Sequence, residues 1–454
     1  MIIKRFVNRE EELKSIRKRL ERKGFELIII YGRRRIGKTR LILEAVKSLE
    51  HVYYLAVEGD NLRHFKRQAS KVVPEIRYSE EDWEAYFHFL RDKVVIIDEF
   101  QNLIKENPKI ISIFQRIVDE ILVNTNTKLV LLGSSVSIIG DKVLSYKSPL
   151  YGRRTASLRL GPLRFIHLRE FFPKASPREL VEIFGLTDGI PFYIERVKTP
   201  FWNWLEKELS RKDTFLLDEM DFLMKYEFTE ISTYKKILEA IAHGKNTMKE
   251  IKDYLKMKHS DITPYIANLI EVGLVRKEIP ITESPRSKKG RYYITDNFTR
   301  FWFRYIFPNL SGIEEGVFDI GLIREDYDTY LGHIYERIAR EFMVDLAKKN
   351  ALPVKPQKIG KWWHKGEEID LVLINESEKK AILAEVKWKD LSERDVYRIV
   401  SGLERKADII PLEGYEIFYC VIGRKIKDKE EVSKETLVYD LKDIDSRSKE
   451  MQKR

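Results

Sequence analysis

"FELIIIYGRRRIGKTRLILEAV", residues 25–46, runs from an apolar stretch through a basic loop bounded by glycines into a segment with helical spacing. The unbroken run Leu27–Ile30 predicts a strand buried on both faces, the habit of a parallel sheet covered by helices on either side. Gly32–Thr39 satisfies G-x-x-x-x-G-K-[ST] in the setting that motif needs, after a strand and before a helix. Its glycines let the backbone N–H groups of Arg33, Arg34, Arg35 and Ile36 wrap a phosphate, and the helix start at Gly37 to Arg40 adds positive potential. Lys38 is placed to reach β- and γ-phosphates and the Thr39 hydroxyl to ligate Mg²⁺. Further apolar strands follow in "HVYYLAV", "KVVIIDEF" and "TKLVLLGSS". A phosphate-binding α/β core over residues 1–160 is therefore expected, with ATP as cofactor.

"VVIIDEF" delivers Asp98 and Glu99 to the end of its strand, where Asp98 would hold Mg²⁺ through water and Glu99 would polarise the attacking water. Ser134 and Ser135 end the next strand; one of them, Ser134 by preference, is expected to sense the γ-phosphate, and either is equally able to cap the following helix. The ordered series "FVNREEEL", "GRRRIGKT", "IIDEF", "LLGSS", "LYGRRT" and "GIP" resembles the archaeal ATPase family within the AAA+-related STAND group of P-loop NTPases. That resemblance implies that Arg9 and Glu10 begin a box near the adenine, and that Gly189 and Pro191 bring a helical lid, residues 161–225, against nucleotide. Arg153 or Arg154 would offer an arginine finger to this site or, in trans, to a homo-oligomeric neighbour.

Residues 226–300 carry three amphipathic helical segments and two short strands flanking "TESPRSKKGR", an order similar to a winged helix-turn-helix. His259, Ser260, Asp261, Thr263 and Tyr265 would open the recognition helix, with Arg286, Lys288, Lys289 and Arg291 on the wing as DNA phosphate contacts. A linker, 301–326, then leads to an α/β region, 327–448. There Asp370 in "GEEIDLVLIN" and Glu385 with Lys387 in "AILAEVKW" are separated by the turn "ESEKK", so a hairpin would set the carboxylates side by side. Glu336, on the preceding helix, is placed to add a third carboxylate around Mg²⁺ or Mn²⁺, with Lys387 beside them. Helix–Asp–Glu-x-Lys–helix resembles the PD-(D/E)xK nuclease fold of restriction endonucleases and archaeal Holliday-junction resolvases, with Ile369 standing where a proline is often found. The resemblance implies a metal-dependent nuclease with Glu336, Asp370, Glu385 and Lys387 as its catalytic set.

With 83 Lys+Arg against 72 Asp+Glu, the formal charge of +11 suits a polyanionic partner, and DNA is the expected one. Cys420 is the single cysteine, which excludes an intrachain disulfide and a cysteine-built zinc site. No apolar run approaches the roughly 18 residues of a membrane span, so a cytoplasmic protein is expected. Two other functions fit the same modules: a nucleotide-controlled signalling or assembly switch, and a DNA-binding regulator whose nuclease-like region is inactive.

Overall fold

The protein is described by a computed structural model covering residues 6–257, 261–432 and 435–452. It divides into two units: residues up to Pro162 together with Ile190–Phe192, and Leu163–Gly189 together with Tyr193 onward.

The first unit is built on five parallel strands, β1 (Glu26–Tyr31), β2 (His51–Leu55), β3 (Val94–Asp98), β4 (Lys128–Gly133) and β5 (Ala156–Arg159), in the order β2-β3-β4-β1-β5. Alternation along β1 explains its uninterrupted apolar run. Leu27 and Ile29 join a core with Phe65, Tyr86 and Phe114, while Ile28 and Ile30 join another with Leu41 and Ile42. Because β1, β4 and β3 are neighbours, their C-terminal ends deliver Gly32, Ser134 and Asp98 to one edge of the sheet. β5 escapes sequence reading because it is an edge strand, with only Ala156 and Leu158 packed, and partly, against the core.

In the second unit, the helices Ser232–Ala242, Met248–Tyr254 and Thr263–Glu271 precede an antiparallel pair, β6 (Val275–Glu278) and β7 (Arg291–Ile294). A Thr247/Glu250 capping box starts the second helix. The expected linker, 301–326, is not an exposed connector: Phe301, Trp302, Phe303, Tyr305 and Ile306 are buried, and Trp302 Nε1 donates to the Leu216 carbonyl at 2.6 Å. An aromatic-rich segment has too much apolar surface to be left in water, and here it packs with the helices Phe215–Glu227 and Gly321–Lys348. The helices of the expected lid likewise share this unit's core: Pro177–Thr187 packs on Gly321–Lys348, and only Ile190–Phe192 belongs with the phosphate loop.

The C-terminal sheet has the order β12-β11-β10-β9-β8, where β8 is Lys358–His364, β9 Glu367–Asn375, β10 Lys380–Leu391, β11 Glu416–Ile426 and β12 Thr436–Asp440. β8, β9 and β10 are antiparallel neighbours, whereas β10, β11 and β12 run parallel, with the helix Glu393–Ala407 crossing from β10 to β11. The polar C-terminal segment forms a helix, Leu441–Gln452, whose Asp445 is buried against Arg169. An isolated polar sequence gives no sign of such a partner. Among the described residues no helix is long and apolar enough to cross a membrane.

Gly189 follows the buried, left-handed Asp188 and is itself left-handed, φ 71°; a Cβ there would lie 1.8 Å from the Leu163 carbonyl oxygen. Gly189→Ala is expected to destabilise the fold by about 3 kcal/mol or more, since backbone stands in the way of the methyl. Thermal unfolding checks this; a melting temperature equal to wild type would contradict the packing.

Candidate functional site

The phosphate loop begins where β1 ends. Gly32 is held at φ 150° with the Leu160 carbonyl oxygen 2.4 Å from where a Cβ would stand, so no other residue fits. The helix Lys38–Ala45 starts behind Gly37, itself left-handed. Lys38 Nζ donates to the Gly32 and Arg33 carbonyls at 2.8 and 3.0 Å. Burial lowers the Lys38 pKa to about 8, even though Glu99 and Asp98 favour its charge. Phosphate oxygens are the natural compensating acceptors for such an ammonium.

Thr39 Oγ1 donates to Asp98 Oδ2 at 2.5 Å, which joins the loop to the end of β3. Hydroxyl and carboxylate are hard oxygen donors of the kind Mg²⁺ takes alongside phosphate, so these two residues fit the expected ion. Tyr53, which sequence reading passed over, also donates to Asp98 Oδ2 at 3.0 Å. Only the alternation of "HVYYLAV" hinted that one of its tyrosines faces this way. Glu99 sits at φ 55°, and its carboxylate accepts hydrogen bonds from Ser134 Oγ, at 2.5 Å, and from Gln101 Nε2. Gln101 also donates to Ser134 Oγ at 3.0 Å. Ser135 instead caps the short helix after β4 through the Ile138 N–H. Of the two serines, Ser135 is the one that caps, Ser134 bonds Glu99, and Gln101 is the residue that the sequence did not reveal.

Arg9 is buried, and its guanidinium donates to the Ile36 carbonyl in the loop at 3.1 Å and to the Gly161 carbonyl at 2.6 Å. Glu10 lies exposed on the first turn of the helix Glu10–Leu20. Arg35 places its guanidinium 3.6 Å from the centre of the Phe192 ring, and Pro191 stands 4.0 Å from the Cβ position of Gly37. The "GIP" segment thus meets the loop through Pro191. Arg153, expected as a finger, forms a bidentate pair with Asp119 at 2.8 and 2.7 Å, and Arg154 lies over the Tyr151 ring. Both guanidinium groups are committed within the subunit.

If Glu99 orients water, Glu99→Gln should bind ATP within about twofold of wild type and hydrolyse it about a hundredfold more slowly or worse. Nucleotide binding measured beside phosphate release decides this; undiminished turnover would remove Glu99 from the chemistry.

On the C-terminal sheet, Ala384 lies opposite Leu371, so the register brings Glu385 opposite Asp370 at the next position. Like charges facing each other repel, and the lysines answer this. Lys387 Nζ is 2.7 Å from Glu385 and 3.7 Å from Asp370, while Lys406, from the helix Glu393–Ala407, is 3.2 Å from Glu385. Asp370 also accepts the Val386 N–H at 2.9 Å. Burial, then the Glu336 and Glu385 charges, push Asp370 up to about 7 against the pull of Lys387.

Glu336 does not complete a three-carboxylate set. Its carboxylate pairs with Lys361 and with His333 at 3.3 Å, and among the described residues no group of three or more His, Cys, Asp or Glu side chains is disposed to hold a metal. Burial opposes its charge, but Lys361 and His333 outweigh that and hold Glu336 below the usual carboxylate range. Lys361 lies where the β8–β9 register shifts, between Gly360 and Trp362, an irregularity that the sequence does not announce. The remaining pair, Asp370 and Glu385, still suits a hard divalent cation, which commonly takes one or two carboxylates, and Asp370 is the group most in need of added positive charge.

The wing residues also depart from expectation. Arg291 pairs with Glu368 at 2.8 Å and lies over the Trp363 ring, Trp363 Nε1 donates to the Lys289 carbonyl, and the Ile281 N–H bonds the Lys361 carbonyl at 2.8 Å. The segment joining β6 and β7 thus docks on β8, and carboxylates in reach capture its cations, including Lys289 by Glu283 at 2.5 Å. Arg286 and Lys288 remain exposed, and Thr263 is exposed at its helix start with its N–H bonded by Asp261. Tyr265 is half-buried against Tyr234. His259 and Ser260 lie outside the described residues.

Residues 6–197 match a family described as "ATPase domain predominantly from Archaea", and residues 302–399 one described as "Archaea bacterial proteins of unknown function". "Uncharacterized protein MJECL04" of Methanocaldococcus jannaschii is 62% identical over 97% of this chain and 100% of its own length. "Uncharacterized ATP-binding protein MJ0423" of the same organism is 52% identical over 43 residues, 10% of this chain and 73% of its own. Among solved structures, "The walker-type atpase paby2304 of pyrococcus abyssi" shares the fold with a TM-score of 0.51 at 21% identity, covering 66% of this chain and 96% of that one. The chain belongs to the same archaeal family as the M. jannaschii protein that it matches from end to end, and carries its P-loop ATPase domain at residues 6–197.

Proposed function

We propose that this P-loop ATPase acts on DNA, and that its C-terminal sheet cleaves phosphodiester bonds with the help of a divalent cation. In the first unit Lys38 and the loop N–H groups hold the triphosphate, Thr39 and Asp98 hold Mg²⁺, and Glu99, kept in place by Ser134 and Gln101, orients water. ATP binding by the related MJ0423 protein supports that assignment. In the second, Asp370 and Glu385 would hold Mg²⁺ or Mn²⁺, which supplies charge neutralisation at phosphorus. Lys387 positions its ammonium beside both carboxylates, where it orients a non-bridging phosphate oxygen or hands a proton to the leaving group.

The observation carrying this reading is the register: Asp370 and Glu385 occupy opposed positions on neighbouring antiparallel strands with Lys387 two residues on, inside a helix, three-strand, helix, two-strand order. Glu336, tied to Lys361, positions that lysine rather than a metal. Residues 226–300 serve as a winged-helix module whose hairpin faces the C-terminal sheet, leaving Arg286, Lys288 and Thr263 as its available DNA contacts. The arginine finger, and the homo-oligomer it implies, would require Arg153 to leave Asp119. Incubating the full-length protein with linear, circular and branched DNA in Mg²⁺ or Mn²⁺ tests the proposal; no cleavage of any substrate would reject it.

A further inference from the structure

Within reach of the Glu336 charge lies a guanidinium, that of Arg300, which has no carboxylate of its own among the described residues. Arg300 sits on the helix Asn297–Phe301, where its Nε is enclosed and has no hydrogen-bond partner among the described residues. Its carbon centre lies 5.7 Å from the middle of the Tyr330 ring. The Tyr330 hydroxyl is turned elsewhere, donating to the Gly185 and Asn297 carbonyls at 2.6 and 3.0 Å, so the ring offers Arg300 only its face.

Every neighbouring cation is served. Arg304 forms a bidentate pair with Asp326 at 2.7 and 2.9 Å, Arg276 bonds Glu278 at 2.7 Å and the Ile294 carbonyl at 2.9 Å, and Lys361 holds Glu336. Glu336 is near enough for its charge to act on Arg300, yet its oxygens are taken by Lys361 and His333. Burial works first against the Arg300 charge, and repulsion from Arg304 and Arg276 adds to this. A guanidinium keeps its proton across the ordinary pH range, so one with an enclosed Nε and no ion pair among the described residues calls for an anion from outside the chain. The planar fork of donors matches a phosphate. The residue as a whole is half-buried, with its Nε enclosed.

We infer that Arg300 is a phosphate-binding residue, and that its ligand is a backbone phosphate of DNA held next to Glu336, Asp370 and Glu385. The identity of that ligand rests on the DNA-cleavage reading. One phosphate gripped here, beside the helix-and-hairpin module and the sheet, would fix the strand's position relative to Asp370.

The test is equilibrium binding of a fluorescent DNA duplex to the full-length protein in Ca²⁺, as a function of salt, for wild type, Arg300→Lys and Arg300→Gln. Arg300→Gln is expected to bind about tenfold more weakly, with its log–log salt slope smaller in magnitude by about 1, as for one lost phosphate contact. Arg300→Lys should recover the slope and part of the affinity. In parallel, inorganic phosphate should raise the melting temperature of wild type and not of Arg300→Gln. If Arg300→Gln matches wild type towards both DNA and phosphate, or if wild type binds neither, the inference is overturned. Arg300-dependent phosphate binding with no DNA binding keeps the phosphate site and overturns DNA as its source. Failure of the cleavage reading shows separately, as duplex that is bound in an Arg300-dependent way and never cut in Mg²⁺.

Discussion

Lys38→Ala should reduce ATP hydrolysis by two to three orders of magnitude, about 3 to 4 kcal/mol of lost transition-state stabilisation. The ammonium is buried and bonded to the Gly32 and Arg33 carbonyl oxygens of the loop. Alanine removes both the charge that a triphosphate would meet and the hydrogen bonds that shape the loop. Affinity should fall with turnover, because Lys38 acts on phosphates in the ground state as well as in the transition state. Glu99→Gln, in contrast, should separate the two, since its carboxylate sits on Ser134 and Gln101. Phosphate release at saturating ATP checks the first claim; turnover of Lys38→Ala near the wild-type rate would contradict it.

The second large effect belongs to the C-terminal sheet. On the proposed reading, Asp370→Ala should lower metal-dependent DNA cleavage about a hundredfold or more and leave ATP hydrolysis unchanged. Asp370 is the carboxylate with the weakest ammonium support, 3.7 Å from Lys387, whereas Glu385 has Lys387 and Lys406 at 2.7 and 3.2 Å. Its anion is thus the costliest in the cluster, and a divalent cation gains most there. The variant also relieves the repulsion across β9 and β10, so lost cleavage should come without lost stability, and a melting curve distinguishes the two. A Glu336→Gln variant does not give so clean a result, because it unpairs Lys361 as well.

The phosphate loop and the strand ends around it could be read from the chain because each depends on local features: apolar runs, glycines where only glycine fits, and a carboxylate at a strand terminus. Adjacency of Asp370 and Glu385 could be read for the same reason, since a short turn and a period of two fix the register of a hairpin. What escaped depends on contacts distant in sequence. Lys361 meets Glu336 from a strand whose register shifts there, and Lys406 arrives from the far end of a helix. The cations of the β6–β7 hairpin looked free for phosphate because nothing local shows that Glu368 and Trp363 will meet Arg291. Residues 301–326 stand where a connector would, but their aromatics require a core, and the partner that holds the polar C-terminal helix, Arg169 for Asp445, lies far away in sequence.

On the proposed function, one chain joins ATP hydrolysis to phosphodiester cleavage at Asp370 and Glu385. The direct measurement is a cleavage time course on DNA in Mg²⁺ by full-length wild type and Asp370→Ala, run with ATP and without nucleotide. Wild type is expected to give products at a rate that changes with ATP, and Asp370→Ala none under either condition. Intact DNA throughout with wild type, or equal cleavage by Asp370→Ala, would contradict the proposed function.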